Sequence, residues 1–328
     1  MSNDGTLETL QLVTTRRPFF EQQVRILEQH GVSCTVIEVP GSKGERSVLD
    51  YARFQAEVLR RSLTEEFDLV QANYGLTGPI ALAQPQRPVV LSLWGSELQL
   101  QARYSRPIAA SARFADAVTV ASEPMARRLD RECHVVPWGI DTELFSPQPR
   151  AAAREELGWD PNARHVLFPY DPERPIKNYP RAKSVVEAVD DDFEEDVELQ
   201  VVHGVAHERI PTYLNAADAL VLTSTSEGSP NAVKEALACN VPVVSVDVGD
   251  VADLLDGIAN CHVRDTDEGL ARKLADVLRS GQRADGRESM AEHSLDAMAR
   301  NFLSVYEEVL DGRDVPNAHE RIGEPTTQ

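Results

Sequence analysis

The sequence predicts an α/β fold made of two doubly wound parallel-sheet domains, and three observations lead to this prediction. Short apolar runs of strand length alternate with helical stripes along the chain, which is the pattern of parallel sheets covered by helices. A length of 328 residues suits two domains of ordinary size, and a hydrophobic content of 42% is sufficient for two cores. A Pro-rich stretch around residues 145–149 separates the two groups of elements.

The first domain is predicted to span residues 1–145. Its expected strands lie at Leu7–Val13 and at residues 34–39, 67–70, 89–93, 117–120 and 135–136. Its two clearest helices are marked by apolar residues at helical spacing, Phe20, Val24 and Leu27 in the first and Leu49, Ala52, Ala56, Leu59 and Leu63 in the second. Because strands and helices alternate, we expect the sheet to be parallel.

The second domain is predicted to span residues 150–300 and to repeat this alternation. Its expected strands lie at residues 165–168, 199–203, 219–222 and 241–246, and its expected helices at residues 151–157, 181–189, 210–217 and 232–238. A final helix is expected at residues 294–311. The tail at residues 312–328 is polar, contains Pro and Gly, and is expected to be disordered.

The stretch Thr223–Asp250 has the features of a ligand site. It follows the apolar run Ala219–Leu222 and begins with small polar residues, so its loop is expected at the carboxyl end of a strand, where open α/β sheets bind ligands. Glu227 lies in this loop and Glu235 in the helix that follows. The N–H groups that begin such a helix bind anions, and a carboxylate accepts hydrogen bonds from vicinal hydroxyls. The alternative is a helix cap at Glu227 and a solvated helix position at Glu235.

The residues of this stretch, Glu-Gly-Ser-Pro-Asn and then Glu-Ala-Leu-Ala-Cys-Asn-Val-Pro-Val-Val, resemble the donor-site signature of retaining GT-B glycosyltransferases of family 4, also called group 1. The resemblance implies two Rossmann-like domains that face a cleft, with the final helix packed back on the first domain. It implies that Glu227 lies beside the donor sugar and that Glu235 holds the ribose of a sugar nucleotide. The other donor-binding residues that it implies are Gly228, Ser229, Pro230 and Asn231, with Gly204 and Val205 against the base.

The loop after the first strand of the second domain carries the cations of the family pattern. In the family an arginine and a lysine hold the diphosphate here, and Lys177 matches that lysine by position. The usual spacing would place the arginine at Pro172, so Arg174 fills this role only if the loop bends differently. The resemblance implies catalytic roles for Lys177, Arg174 and Glu227, with the two cations stabilising the departing diphosphate. The alternative for both cations is a solvated loop position.

In the first domain the resemblance is looser and concerns the acceptor or cleft side. The fourth expected strand resembles a family strand that ends in His-Gly-Ser-Asp, with Trp94 in place of the histidine, then Gly95, and Glu97 in place of the aspartate. Trp94 cannot act as a base, so its expected role is packing or stacking on the acceptor. The family's Gly-rich first loop is absent, and Arg16 and Arg17 occupy its place, either to hold phosphate oxygens or as solvated residues.

The net charge of the chain bears on its expected partners and surroundings. The formal net charge is -20, with almost all of the excess acid after residue 150, so nucleic acid is not an expected partner. Lysine is scarce, and an acidic, lysine-poor chain suggests the hypothesis of a halophilic, high-salt cytoplasm.

The cysteines lack C-x-x-C spacing and are expected to be buried thiols in a reducing compartment. No apolar run approaches the ~20 residues of a membrane span, and no secretory signal is recognised.

Together these features predict a metal-independent glycosyltransferase of the hexosyltransferase type, with no cofactor beyond its donor substrate, for which UDP- and GDP-sugars are preferred. The expected acceptor is a glycan, a lipid-linked glycan or a small molecule. Two alternatives stay open: a non-catalytic sugar-nucleotide-binding protein, and a sugar-nucleotide epimerase of the same fold. The expected location is the cytoplasm, including the inner membrane face, where the arginines of the first domain would make peripheral contact.

Overall fold

The computed structural model describes residues 6–42, 44–95, 102–191 and 193–312, without the side chains of residues 102–105. Contacts divide the chain into two compact units: unit 1, which is Met1–Pro137 with Met298–Gln328, and unit 2, which is Trp138–Ala297. The chain passes from unit 1 to unit 2 ahead of the Pro-rich stretch at residues 145–149. The predictions for Glu97 and for the tail beyond Gly312 fall outside the described residues.

In the described part of unit 1, parallel strands form one sheet in the order β2-β1-β3-β4-β5-β6. The strands are β1 Leu7–Val13, β2 Val32–Glu38, β3 Leu69–Asn73, β4 Val89–Leu93, β5 Ala117–Val120 and β6 His134–Val135. The helices are α1 Pro18–Gln29, α2 Val48–Thr64, α3 Gly78–Leu82, α4 Ala102–Phe114 and α5 Glu123–Ala126. The strand order changes direction between β1 and β3, so the crevice of this doubly wound sheet lies beyond the carboxyl ends of those strands.

Over the residues described in unit 2, a second parallel sheet has the order β11-β10-β9-β7-β8. Its strands are β7 Arg164–Phe168, β8 Val197–Val201, β9 Ala219–Leu222, β10 Val243–Ser245 and β11 His262–Val263. Its helices are α6 Arg150–Leu157, α7 Tyr179–Asp190, α8 Ile210–Ala216, α9 Asn231–Ala238, α10 Val251–Leu255 and α11 Asp267–Ser280. The last helix, α12 Leu295–Leu310, begins in unit 2 and continues in unit 1.

The sheet of unit 2 is covered on both faces, as the alternation along β9 shows. Leu220 and Leu222 pack into one core with residues of α9 and α10, whereas Ala219 and Val221 pack into a second core with residues of α7 and α11. Strands that are buried on both faces consist of continuous apolar runs, which is why this strand is recognisable from its sequence. The predicted α/β fold with two doubly wound parallel-sheet domains is confirmed.

The apolar stripe predicted for α2 was wrong. Leu49 and Leu63 are 58% and 73% exposed, whereas the buried residues of this helix are Phe54, Val58 and Ser62. These three residues recur at intervals of four, so they lie on one face of the helix, and that face carries the large aromatic side chain. A helix that offers two apolar faces leaves the choice between them to the packing of the whole unit.

Helix α12 joins unit 1 through a buried chain of polar groups. Tyr306 is fully buried, and its hydroxyl donates to the Gln71 side chain on β3. The Gln71 amide donates to the Ser92 hydroxyl oxygen on β4 at 2.6 Å, and the Thr119 hydroxyl on β5 donates to the same oxygen at 2.8 Å. Because buried polar groups need partners, this network favours a single position of the helix on the sheet. Across the described ranges, no helix combines the length and the apolarity needed to cross a bilayer.

Candidate active site

Two loops at the carboxyl edge of the unit 2 sheet carry the three predicted catalytic residues, Lys177, Arg174 and Glu227. One loop, residues 169–178, follows β7, and the other, residues 223–230, follows β9. Because β7 and β9 are hydrogen-bonded parallel neighbours, these loops emerge side by side. The Thr223 hydroxyl lies 3.2 Å from the Lys177 carbonyl oxygen and 3.1 Å from that of Asn178, and it donates to them. The loops therefore form one connected structure.

The Lys177 ammonium lies at the centre of this structure. Its Nζ is 2.5 Å from Glu227 Oε1, and the two side chains are only 7% and 13% exposed. The same Nζ lies 3.8 Å from the centre of the Tyr170 ring, which is a cation–π distance. Burial lowers the pKa of Lys177, and the charge of Glu227 opposes this shift. The residues that the family resemblance assigns to the diphosphate and to the donor sugar are thus in direct contact.

Tyr170 is a site residue that the sequence reasoning missed. Burial raises the pKa of its hydroxyl, and the charges of Glu227 and Glu235 add to the shift, so both carboxylates lie within electrostatic range of this ring. The available signal was its position, two residues after the buried strand β7. That position places it at the carboxyl edge of the sheet, where ligands of such folds bind.

Arg174 lies immediately before the short 3₁₀ turn Pro175–Lys177, and its side chain is exposed. Its charge contributes to the lowered pKa of Lys177, so the two cations are within electrostatic range of each other. Within the described ranges no hydrogen bond or ion pair of the Arg174 side chain is found. An exposed guanidinium beside a buried ammonium can bind an anion that also reaches the buried group.

Glu235 lies in α9 and is 13% exposed. Its Oε1 is 3.1 Å from Nε2 of His207, the first residue of the 3₁₀ turn that follows β8. The hydrogen bond with Glu235 raises the pKa of His207, while burial of the ring opposes the shift. Gly204, with φ 69°, and Val205 are exposed in the same segment. The turn predicted to face the base and the carboxylate predicted to hold the ribose are therefore neighbours.

Four buried polar atoms around these loops lack a hydrogen-bond partner among the described residues: Ser224 Oγ, Ser229 Oγ, Asn231 Oδ1 and Asp250 Oδ1. Burial raises the pKa of Asp250, and the charge of Lys234 opposes this shift. Buried polar groups are nearly always paired, so a group of unpaired atoms at one edge of the sheet indicates a place for a polar ligand or for water.

The predicted residues Gly228, Ser229, Pro230 and Asn231 connect β9 to the first turn of α9, where Pro230 is buried at the N-cap. The loop after β10 lies close to them. A Cβ added to Gly249 would lie 2.8 Å from the Gly228 carbonyl oxygen, and the φ of Gly249 is 64°. Only glycine suits this position, because both the close approach and the left-handed backbone disfavour a side chain.

Trp94, one of the predicted acceptor-side residues, lies in unit 1 directly after β4. Its ring stands edge-on to that of Phe19 at 4.8 Å between centroids and lies 5.6 Å from that of Tyr74. Gly95 follows with φ 107°. Trp94 thus belongs to an aromatic cluster beyond the carboxyl ends of the unit 1 strands, which accounts for its packing role.

Arg16 and Arg17 lie in unit 1 between β1 and α1. Arg16 forms ion pairs with Glu21 at 3.5 Å and with Glu38 at 3.8 Å, all with partly exposed side chains. Arg17 is the N-cap residue of α1. The structure therefore gives Arg16 local acidic partners, and a phosphate contact of Arg16 or Arg17 stays a prediction.

Lys234 is a further residue that the sequence reasoning missed. It is fully buried in α9 beside Glu235, and its Nζ donates to the Trp138 carbonyl oxygen at 2.7 Å. Burial lowers its pKa to about 8. The contact ties α9 to the segment by which the chain enters unit 2. No pattern in the sequence distinguishes this lysine from a solvated helix residue.

Comparison with known proteins connects this geometry to a family. Residues 9–144 match a family model described as Glycosyltransferase Family 4, and residues 178–280 match one described as Glycosyl transferases group 1. Among curated relatives, the putative teichuronic acid biosynthesis glycosyltransferase TuaC of Bacillus subtilis (strain 168) is 29% identical over 215 residues, 57% of this chain and 55% of that protein. The D-inositol 3-phosphate glycosyltransferase of Nocardia farcinica (strain IFM 10152) is 28% identical over 270 residues, 64% of this chain and 59% of that protein. The matches thus span little more than half of these relatives.

Solved structures agree in fold. Sucrose-phosphate synthase from Thermosynechococcus elongatus superposes with a TM-score of 0.75 at 16% identity, covering 93% of this chain and 100% of that one. Anabaena Alr3699/HepE, in a complex with UDP-glucose, superposes with a TM-score of 0.68 at 16% identity, covering 92% of this chain and 100% of that one. The family matches, the GT-B fold and the resemblance read from the sequence agree: the chain belongs to the family 4, or group 1, glycosyltransferases, a retaining family.

Proposed function

We propose that this protein transfers a hexosyl residue from a nucleoside-diphosphate sugar to an acceptor, with retention of the anomeric configuration and without a metal ion. The observation that carries the proposal is the buried contact between Lys177 and Glu227, 2.5 Å apart. It joins the loops after β7 and β9, beside buried polar atoms that lack protein partners in the described ranges. A ligand that has both a diphosphate and hydroxyl groups would satisfy all of these groups.

The proposed chemistry relies on positioning and charge. Lys177 and the exposed Arg174 bind the diphosphate, and they stabilise the negative charge that grows on it as the glycosidic bond breaks. Two cations here do what a metal ion does in other phosphate sites. Burial lowers the pKa of Lys177, so a bound diphosphate would strengthen the charged state by supplying a second anion. Glu227 orients the sugar through its hydroxyls, and Glu235 accepts the ribose hydroxyls.

The donor class is supported by the fold relative whose structure holds UDP-glucose, so UDP-sugars are the first donors to test and GDP-sugars the second. The names of the curated relatives refer to teichuronic acid biosynthesis and to D-inositol 3-phosphate. We therefore propose a polyhydroxylated acceptor, either a glycan or a lipid-linked glycan, bound through unit 1.

We also place the reaction in the cytoplasm, at the inner membrane face when the acceptor is lipid-linked. The support is a set of exposed basic residues within residues 106–128 of unit 1, a range that also contains the exposed Phe114: Arg106, Arg113, Arg127 and Arg128. Arg131 is less suited to this role, because its guanidinium donates to the Ala115 carbonyl at 2.7 Å.

A donor panel tests the proposal. Thermal unfolding is measured with UDP-, GDP- and ADP-sugars, and a ligand at 100 times its Kd adds about 2.7 kcal/mol of stability. Release of nucleoside diphosphate and the anomeric configuration of the product are then followed with the stabilising donor. Stabilisation together with a retained product supports the proposal. Stabilisation without turnover on any acceptor pool indicates a non-catalytic sugar-nucleotide-binding protein, and the absence of stabilisation by any donor contradicts the proposal.

A further inference from the structure

We propose that His207 is a positioning residue of the nucleotide site: it holds Oε1 of Glu235, so that Oε2 is aimed at the ribose and accepts its 2′-hydroxyl. The proposal rests on the proposed function, because it assumes that a nucleoside diphosphate binds beside α9. It adds His207 to the residues of the proposed site, although this histidine lies outside the loops after β7 and β9. It also predicts that the preference for ribonucleotides over 2′-deoxyribonucleotides depends on His207.

The first argument is the state of the Glu235 carboxylate. It is 13% exposed, and its contact with His207 Nε2, at 3.1 Å, is the hydrogen bond found for it in the described ranges. A glutamate side chain has several rotatable bonds, and fixing it on ligand binding has an entropic cost. A carboxylate that is already held through one oxygen has lost this freedom, and its other oxygen keeps its acceptor capacity. His207 therefore preorganises Glu235 for a hydroxyl-bearing ligand.

The second argument is that His207 is itself held in place. It begins a 3₁₀ turn, His207–Arg209, and its ring packs against the fully buried Phe145 ring with centroids 5.2 Å apart. His203, four residues earlier, is exposed, and no side-chain contact of it is found within the part of the chain that the structure describes. The two histidines looked alike in sequence, but only His207 is fixed between a core aromatic residue and a site carboxylate.

The third argument is electrostatic. Among the described residues, the charges that shift the pKa of His207 are acidic: Glu235 from α9, the adjacent Glu208, and Asp141 from the segment before Phe145. The hydrogen bond with Glu235 is the largest influence and raises the pKa of His207, whereas burial opposes it. The imidazolium thus persists to higher pH than in a free histidine and makes a charge-assisted bond to Glu235. As the pH rises through the raised pKa, the proton is lost and this bond weakens.

The chemistry of the ligand follows from the geometry. A carboxylate with one oxygen occupied by an imidazolium offers lone pairs of the other oxygen to neighbouring hydroxyls, and a ribose presents its 2′- and 3′-hydroxyls together. A 2′-deoxyribose leaves part of this acceptor capacity unpaired in a mostly buried position. Sites built to hydrogen-bond a hydroxyl discriminate against analogues that lack it. Discrimination at the 2′ position is therefore the property that should depend on His207.

The test compares UDP with 2′-deoxy-UDP, and GDP with 2′-deoxy-GDP, by calorimetric titration of the full chain. In the wild type we expect the ribonucleotide to bind about tenfold more tightly. His207→Ala should reduce this ratio to about two, because Glu235 is no longer held, and it should weaken the ribonucleotide more than the deoxynucleotide. His207→Gln, which keeps a neutral hydrogen-bond donor, should retain an intermediate ratio. It provides a second test if the alanine variant does not fold. His203→Gln is the matched control and should keep the wild-type ratio.

A pH series separates positioning from simple loss of structure. Wild-type affinity for the ribonucleotide should fall as the pH rises through the raised pKa of His207, which lies above the ordinary histidine value of 6.5, whereas His207→Gln should show a flat profile and His203→Gln the wild-type one. If folded His207 variants keep the wild-type ratio and pH profile, or bind more tightly, the inference is overturned while the proposed function stands. If the wild type binds none of the four nucleotides, the proposed function fails first and the inference with it.

Discussion

The loops at the carboxyl ends of the two sheets differ in their chemistry. In unit 2 this edge holds buried or half-buried charged groups in contact, with Lys177 on Glu227 and His207 on Glu235. In unit 1 the corresponding edge holds aromatic rings, with Trp94 packed against Phe19, and the ion pairs that Arg16 forms there have partly exposed side chains. Both sheets are parallel and doubly wound, so the fold does not impose this difference.

The comparison shows which residues packing alone can explain. An aromatic cluster gains free energy from burial and ring contacts without any ligand. Burying an ion pair costs desolvation free energy that is often larger than the attraction between the two charges, so a buried ion pair is weak evidence of a role in stability. We therefore propose that the charged edge of unit 2 binds a ligand, whereas burial and ring contacts are sufficient to account for the aromatic cluster of unit 1. The predictions below test this asymmetry, beginning with the largest expected effect.

Lys177→Ala should lower kcat by about 10²–10³-fold, or roughly 3–4 kcal/mol, because the ammonium meets charge that grows in the transition state. Steady-state kinetics on the folded variant, checked by circular dichroism, measures this. Lys183→Ala is the matched control: Lys183 lies on the next helix, is exposed and pairs only with Glu187 in the described ranges. Near-normal turnover of Lys177→Ala would contradict a catalytic role for the charged residues at the carboxyl edge of the unit 2 sheet.

Lys234→Met should change the pH dependence of stability. Burial lowers the pKa of Lys234 from 10.5 to about 8, so between these values the unfolded chain binds its proton more tightly than the folded chain. The contribution of Lys234 to stability therefore rises with pH across this window, by about 2–3 kcal/mol. Urea unfolding at pH 7.5 and pH 10 measures the free energy of unfolding of the wild type and of the variant. Subtracting the variant from the wild type at each pH removes the contribution of the other titrating groups, which the two proteins share. If the free energies of unfolding of the two proteins changed equally between the two pH values, the Lys234 amine would not be desolvated.

Gly249→Ala should destabilise unit 2 more than Gly257→Ala. Both glycines have positive φ, so each variant is expected to lose about 1–2 kcal/mol from its backbone conformation. A Cβ at Gly249 would also lie 2.8 Å from the Gly228 carbonyl oxygen, whereas nothing lies within 4 Å at Gly257. The additional loss, about 1–3 kcal/mol, isolates the contact between the two loops. Equal unfolding midpoints would mean that the Gly228 loop can move aside freely.

Trp94→Phe should have the smallest effect. The aromatic cluster keeps a ring at this position, so stability should fall by about 1 kcal/mol and nucleotide affinity should stay within about twofold of the wild type. Calorimetric titration with UDP and GDP checks the affinity. A large loss of nucleotide binding would show that the aromatic edge also serves the donor, and the contrast between the two edges would then be false.

Sequence patterns predicted local structure well where one physical signal dominates. The bounds expected for β1, β4, β5 and β9 agree with the structure, and the last three of these strands are short, mainly apolar runs. In α2 two candidate faces competed, and only packing against the unit selected the one with Phe54. Elements with a single plausible burial pattern are thus predictable, and those with two are not.

For the candidate site, residues in a recognisable motif were predictable, and residues that meet them from elsewhere in the chain were not. Lys177 and Glu227 were singled out separately, although their contact crosses 50 residues of sequence. His207 was not singled out as a site residue, because its contact with Glu235 depends on how β8 and α9 are placed. Lys234 reads as a surface lysine until its burial is seen. The roles of these residues at the donor site stay predictions.

The most direct test of the central claim, that the loops after β7 and β9 bind a diphosphate, is calorimetric titration of UDP, GDP and the parent nucleosides into wild type, Lys177→Met and Lys183→Met. We predict that Lys177→Met weakens the preferred diphosphate by about tenfold or more, because a charge-assisted contact is lost. The parent nucleoside should bind all three proteins alike, and Lys183→Met should match the wild type. Equal diphosphate affinity in wild type and Lys177→Met would contradict the claim.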